Sequence, residues 1–166
     1  MRTGKKPISA ANALNRAAAL CSRSEQASAD IVKKLRDWGL AEADVAAVME
    51  RLVKEKFVDD GRYAVAFVRD KFRFGGWGKM KIAYALRQKH IAEANIAEAL
   101  EEIGEEEYGE ALLAALRTKM HSVKGRQPMQ QRAALYRFAA SRGYESSMIS
   151  RAISTLLSDS SDDDSW

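Results

Sequence analysis

Few residues of this 166-residue chain stand at spacings that chemistry requires. The run Gly75-Gly76-Trp77-Gly78-Lys79 has the glycines and the lysine of a phosphate-cradling loop. It lacks the Walker spacing and a preceding strand, so that reading fails. Asp59-Asp60 and Glu101-Glu102 are paired carboxylates, but they fall at expected helix ends with no base converging on them. No nucleophile–base pair is legible. Cys21, His90 and His121 are too few and too scattered for zinc, and one cysteine cannot form an internal disulfide. The expectation is a protein without catalysis, cofactor or metal.

What remains is charge. The stretch from Arg69 to Lys89 holds Arg69, Lys71, Arg73, Lys79, Lys81, Arg87 and Lys89 against Asp70 alone. Phe67, Phe72, Phe74 and Trp77 are interleaved with them. Such a mixture can hold phosphates and stack bases. It can equally be a core with cationic stems laid across it. Phe67 and Phe72 read as core. Phe74 and Trp77, flanking the glycines, are open to either reading. A second stretch carries Arg117, Lys119, Lys124, Arg126, Arg132, Arg137 and Arg142 with no acid among them. Between the two, Glu93 to Glu110 has eight Glu and no base. These bands hide behind a net charge of +4, and the last eight residues contain four Asp and no base. A basic body with an acidic tail points to an anionic partner, nucleic acid being the commonest. Ordinary solvated helix faces remain the alternative. The tail from Ser158 to Trp166 reads as disordered, a solubility device or a competitor for the basic bands.

The elements that would position these residues are helices. Ala accounts for 28 of the 77 apolar residues, whereas Val, Ile and Thr together number only 19. That composition favours helices and disfavours strands. Leu, Ile, Val and Phe number 34, so the core is thin. An internal repeat explains it. Ile31-Val32-Lys33-Lys34-Leu35 aligns with Ile82-Ala83-Tyr84-Ala85-Leu86 and with Leu135-Tyr136-Arg137-Phe138-Ala139, at offsets of 51 and 53 residues. Downstream, Val45, Val48 and Leu52 fall over Ile96, Ala99 and Ile103, then over Ile149, Ala152 and Leu156. That spacing is one face of a helix.

Each copy therefore reads as two helices meeting at a sharp joint. Gly39 and Gly143 stand where a helix end needs a left-handed residue, and His90 holds that position in the second copy. A preceding helix completes each unit: about Ser9 to Cys21, Asp59 to Phe74, and Glu106 to His121. Ser24 and Asp59-Asp60 are expected to cap the second and fourth helices. Gly125 and Pro128 should separate the seventh from the eighth. The expected architecture is all-α: a flexible basic segment 1–8, three tandem three-helix, helix-turn-helix-like repeats at 9–58, 59–104 and 105–157, and the tail 158–166. An elongated, curved molecule follows, with the core completed by stacking. On the fifth helix Met80, Tyr84 and Arg87 fall opposite Ile82 and Leu86, on a face left for a partner or a neighbouring repeat. No secretion signal and no run of 18 apolar residues is present, so a cytoplasmic protein without membrane contact is expected.

Four segments resemble the RecX family, bacterial regulatory proteins that modulate the recombinase RecA. Ser22-Arg23-Ser24-Glu25-Gln26 with Ile31-Val32-Lys33-Lys34-Leu35 is similar to the family's opening R-x-x-S-x-x-E-L-x-x-K-L. Phe57-Val58-Asp59-Asp60-Gly61-Arg62-Tyr63-Ala64 resembles G-Y-L-D-D-x-R-F-A. Gly76-Trp77-Gly78-Lys79-Met80-Lys81-Ile82 with Leu86-Arg87-Gln88-Lys89-His90-Ile91 is similar to G-x-G-x-x-x-I-x-x-E-L-x-x-K-G-I, with Ala85 for Glu and His90 for Gly. Arg137-Phe138-Ala139-Ala140-Ser141-Arg142-Gly143-Tyr144 resembles R-F-L-x-x-R-G-Y. The resemblance spans about residues 10–157 and includes no catalytic motif. It implies three tandem three-helix repeats. It also implies a monomer that binds RecA filaments on single-stranded DNA, lies in their groove or blocks their extension, and so suppresses strand exchange, ATP hydrolysis and coprotease activity. Direct DNA binding is implied for several members. The two basic bands are then the expected contact residues, with a DNA-binding protein independent of RecA, or a neutral helical adaptor, as the rivals.

Overall fold

The computed structural model describes residues 6–162. Among these are nine helices and no strand: α1 (Ala10–Arg23), α2 (Ser28–Asp37), α3 (Glu42–Lys54), α4 (Asp60–Arg73), α5 (Lys79–Gln88), α6 (Glu93–Leu100), α7 (Glu105–Val123), α8 (Pro128–Ser141) and α9 (Ser146–Asp162). The fold is a tandem helical repeat, and the boundaries read from the sequence at 58/59 and 104/105 fall in the loops before α4 and α7. By compactness the chain forms two units. One runs to Ala66 and includes Leu86–Glu98; the other comprises Phe67–Ala85 and the chain from Ala99. α9 continues to Asp162, so the first residues assigned to a disordered tail are helical, and 163–166 lie outside the described residues. Of the expected flexible segment 1–8, residues 1–5 also lie outside them.

The first unit has its core where the helical spacing places it. Ala13 and Ala17 of α1, Ile31 and Leu35 of α2, and Val45, Val48 and Leu52 of α3 are buried together. Alanines in the contact faces let backbones approach, which is how a lean composition still closes a core. In the second unit Leu112 and Leu116 of α7, Leu135 and Ala139 of α8, and Ile149 and Ile153 of α9 are buried. No polar or charged residue is buried among the described residues.

The three joints are one motif repeated. Gly39, His90 and Gly143 have φ of 89°, 57° and 93°. The following amide in each case donates back across the turn: Leu40 to the Leu35 carbonyl at 3.2 Å, Ile91 to Leu86 at 3.1 Å, Tyr144 to Ala139 at 3.2 Å. This is the Schellman termination, and the residue after it is buried against the helix it leaves. A fourth copy ends α3: Lys56 has φ of 61°, and the Phe57 amide donates to the Leu52 carbonyl at 2.9 Å. No glycine marks that turn.

The caps differ from expectation at one place. Ser24 does not cap α2; it terminates α1, its amide donating to the Leu20 carbonyl. The first turn of α2 is served from α4 instead. The Asp60 carboxylate accepts the Ser28 amide at 2.8 Å and the Ser28 hydroxyl at 2.6 Å. Asp59 is left to cap α4, accepting the Arg62 amide at 3.0 Å. A carboxylate from 32 residues away does the work of a local serine because it brings a full negative charge to the helix start.

The joints predict opposite responses to substitution. His90→Gly relieves a left-handed residue carrying a Cβ and should stabilise by about 1 kcal/mol. Gly143→Ala should destabilise by more than about 2 kcal/mol, because the new Cβ would lie 2.3 Å from the Lys81 Cβ at φ of 93°. Thermal unfolding followed by circular dichroism reads both.

Candidate interaction surface

In the second unit the loop between α4 and α5 is held by the turn between α8 and α9. The Gly78 amide donates to the Arg142 carbonyl at 2.6 Å, and the Met80 amide donates to the Gly143 carbonyl at 2.9 Å. Between them the Lys79 amide donates to the Tyr108 hydroxyl at 2.9 Å. Three of the amides that open α5, those of Gly78, Lys79 and Met80, are thus satisfied from outside the helix. The approach is possible only for glycine: a Cβ at Gly78 would sit 2.4 Å from the Gly143 carbonyl carbon. Tyr108 in turn donates to Glu145 at 2.8 Å and stacks on Tyr144 with ring centroids 4.9 Å apart. Burial pushes the Tyr108 phenol well above its usual range, and the Glu145 carboxylate, accepting its proton, adds to that. Tyr144 is raised for the same first reason.

The predicted contact residues fall into three groups. Some are committed to carboxylates of the chain itself. Arg69 pairs with Glu102 at 2.8 Å, Arg73 with Glu107 at 3.7 Å, Arg87 with Glu93, and Lys89 with Asp30 at 3.0 Å. Asp30 holds Lys89 above the usual lysine range. Three of the eight Glu of the acidic band thus offset three of the seven cations of the middle basic band.

A second group rests on aromatic rings. Trp77 meets Phe67 edge-on and carries Lys81 at 4.4 Å and Lys71 at 5.0 Å from its ring centre. Lys79 lies 4.8 Å over Tyr108. Lys119 and Arg142 lie over Phe138, at 5.5 and 5.2 Å, and the Arg142 guanidinium also donates to the Gly75 carbonyl at 3.2 Å. Arg142 is half-buried and positions the loop. Trp77, the stacking candidate, already has cations against it.

The third group is Arg117, Lys124, Arg126, Arg132 and Arg137, exposed residues of α7, α8 and the loop between them. They have no ion pair among the described residues. Of the predicted contact residues, these are the cations with charge to spare. Two aromatic positions also resolve: Phe72 is buried, whereas Phe74 is 88% exposed. Met80 and Tyr84 on α5 are 58% and 64% exposed, on the face opposite Ile82 and Leu86 that the sequence leaves for a partner or a neighbouring repeat.

The sequence did not reveal the Tyr108–Glu145 pair or the contact of Gly78 with Gly143. Residues 65 positions apart show no periodicity; the only signal is that both are glycines at helix boundaries. No group of His, Cys, Asp and Glu among the described residues could hold a metal ion, and none of the described helices is long and apolar enough to cross a membrane.

Three tandem three-helix units, each turning at a Schellman joint, define a helical-repeat protein. Comparison with known proteins gives the family. Residues 59–100 match the second three-helix domain of RecX and residues 105–153 the third. The regulatory protein RecX of Prosthecochloris aestuarii is 33% identical over 145 residues, covering 87% of this chain and 93% of its own. That of Pseudomonas putida strain F1 is 32% identical over 136 residues, covering 81% and 85%. A crystal structure of regulatory protein RecX superposes with a TM-score of 0.77 at 25% identity, covering 84% of this chain and 68% of the other. RecX from Lactobacillus salivarius shares the fold, with a TM-score of 0.83 and coverage of 89% and 96%. The chain belongs to the RecX family of regulatory proteins.

The tyrosine network makes a pH prediction. In the unfolded chain Tyr108 ionises near its ordinary value of 10.0; in the folded protein it ionises only higher. Stability from the raised group is complete below pH 10 and falls as pH climbs above it. Tyr63 and Tyr144 shift in the same direction, chiefly through burial. The melting temperature should therefore drop above pH 10, and less steeply in Tyr108→Phe. That variant should also start about 1–3 kcal/mol less stable at neutral pH, because the Lys79 amide and Glu145 lose their partner.

Proposed function

We propose that this chain binds RecA and RecA filaments on single-stranded DNA and inhibits RecA without catalysis, by occupying the filament groove or capping its growing end. Membership of the RecX family supports RecA as the target. The observation that carries the mode of binding is the exposed, unpaired set Arg117, Lys124, Arg126, Arg132 and Arg137. These cations need break no internal ion pair before they meet a phosphate or a carboxylate, so their full charge is available to a nucleoprotein surface. Lys79 and Lys81 stand next in order, since a cation–π contact costs less to exchange than a bidentate ion pair, and Lys71, which also lies 3.9 Å from the Asp70 carboxylate, follows them.

Inhibition then needs no chemistry. A protein that binds one filament state better than another shifts the equilibrium by its differential affinity. Occupying the groove would exclude incoming duplex; occupying the end would exclude the next RecA protomer. We take the acting species to be a monomer with repeats at 9–58, 59–104 and 105–157, working in the cytoplasm. The Glu93–Glu110 band, with three of its eight Glu paired internally, has the smaller part.

RecA-dependent ATP hydrolysis on single-stranded DNA, with this protein titrated in, tests the proposal. Inhibition at stoichiometric levels is expected, and its absence would overturn the reading. Lys124→Glu, Arg126→Glu and Arg132→Glu combined should weaken inhibition at least tenfold. Arg69→Glu with Arg87→Glu should cost less, since those guanidiniums already serve Glu102 and Glu93. The same exposed cations also fit a protein that binds DNA independently of RecA. That alternative predicts binding to bare single strands as tight as to filaments, with a salt slope falling by roughly 0.7 for each phosphate contact removed.

A further inference from the structure

A cleft of about 600 Å³ in the second unit is used by nothing described above. It opens beside the Tyr108–Glu145 pair, with α7 as one wall and α9 as the other. Leu113, Met148 and Ala152 supply apolar surface, and Gly109 lies in its lining. Gly109 is a glycine in mid-helix, where the residue type weakens the helix. No close packing demands it, because a Cβ built there meets nothing within 4 Å. Its helical φ does not demand it either, since it is absent from the positive-φ residues. What the missing side chain does is leave the cleft open. Carboxylates line it in excess: Glu105 and Glu106 from the first turn of α7, and Glu145, against Lys79 and Arg151. Glu105 and Glu106 make no ion pair among the described residues, so the first turn of α7 stays acidic even with Lys79 over the Tyr108 ring.

We propose that this cleft is a docking site for a basic, amphipathic segment of a protein partner, whose apolar side chain enters over Gly109 while its Lys or Arg meets Glu105 and Glu106. The charge selects the occupant. Nucleic acid, repelled by the carboxylates, belongs to the cationic residues of α7 and α8, so the second unit has separate surfaces for the two components of a nucleoprotein. The volume lies within the range of pockets that take one or two side chains or a small ligand. This rests on the proposed function for the identity of the partner, and goes beyond it in assigning the protein contact to a cleft.

The test uses the full chain with RecA filaments on single-stranded DNA and, separately, bare single-stranded DNA. Gly109→Met fills the cleft with a better helix former, so the melting temperature should hold or rise. Binding to filaments should fall at least tenfold, and binding to bare DNA should stay within twofold of the parent. Glu105→Lys with Glu106→Lys, both on the exposed rim, should weaken filament binding similarly while leaving bare DNA binding equal or tighter. If the parent binds filaments and either variant binds them equally well, the cleft is not the protein contact. If the parent binds bare DNA but gains nothing from RecA, the proposed function fails and the assignment of this cleft falls with it. Loss of both activities by Gly109→Met with a lowered melting temperature would also overturn it, since the site would then be part of the core.

Discussion

The contact between two backbones, at Gly78 and Gly143, is the constraint on which the arrangement of the second unit depends. With no Cβ on either side, the start of α5 can hang its first amides on carbonyls of the α8–α9 turn. Those bonds set where α5 begins and therefore which way Lys79 and Lys81 leave the chain. Lys81 then falls over Trp77, Lys79 over Tyr108, and Arg142 reaches back to the Gly75 carbonyl. Tyr108 closes the same junction from α7 by accepting one amide and donating to Glu145. A buried hydroxyl that both accepts and donates leaves no polar group orphaned, which is why a thin core tolerates it.

Internal ion pairing changes what the charge bands mean. Exposed pairs such as Arg69–Glu102 and Arg87–Glu93 add only about 0–1 kcal/mol each to stability. Their larger effect is on availability. A paired guanidinium must leave its carboxylate before it can hold a phosphate, whereas the cations of α7 and α8 can bind at once. Two basic bands that look alike in the sequence thus differ in how freely their cations stand, those of α7 and α8 being the less paired.

Much of the fold was legible because it repeats. Offsets of 51 and 53 residues located all three joints, and the burial of Leu40, Ile91 and Tyr144 after them followed from the Schellman geometry. His90 could be assigned a left-handed conformation only because the repeat placed it over two glycines. Lys56 had no such guide, and its equally left-handed turn went unseen. Long-range polar contacts were hidden for another reason. Whether Asp60 caps its own helix or α2, and whether Arg69 finds Glu102 or solvent, depends on how helices far apart in sequence rotate and slide against each other. Side-chain packing decides that, and no period in the sequence encodes it. Which cations of the basic bands are paired and which stand free was hidden for the same reason.

Trp77 has a consequence of its own. Its indole carries two ammonium groups and meets Phe67 at a T-shaped angle, in the loop whose glycines anchor it. An indole excited state is sensitive to nearby charge. Any anion that draws Lys71 or Lys81 off the ring alters the field the indole feels, without touching the indole itself. The protein thus carries a built-in fluorescent gauge of whether those two lysines are at rest or engaged.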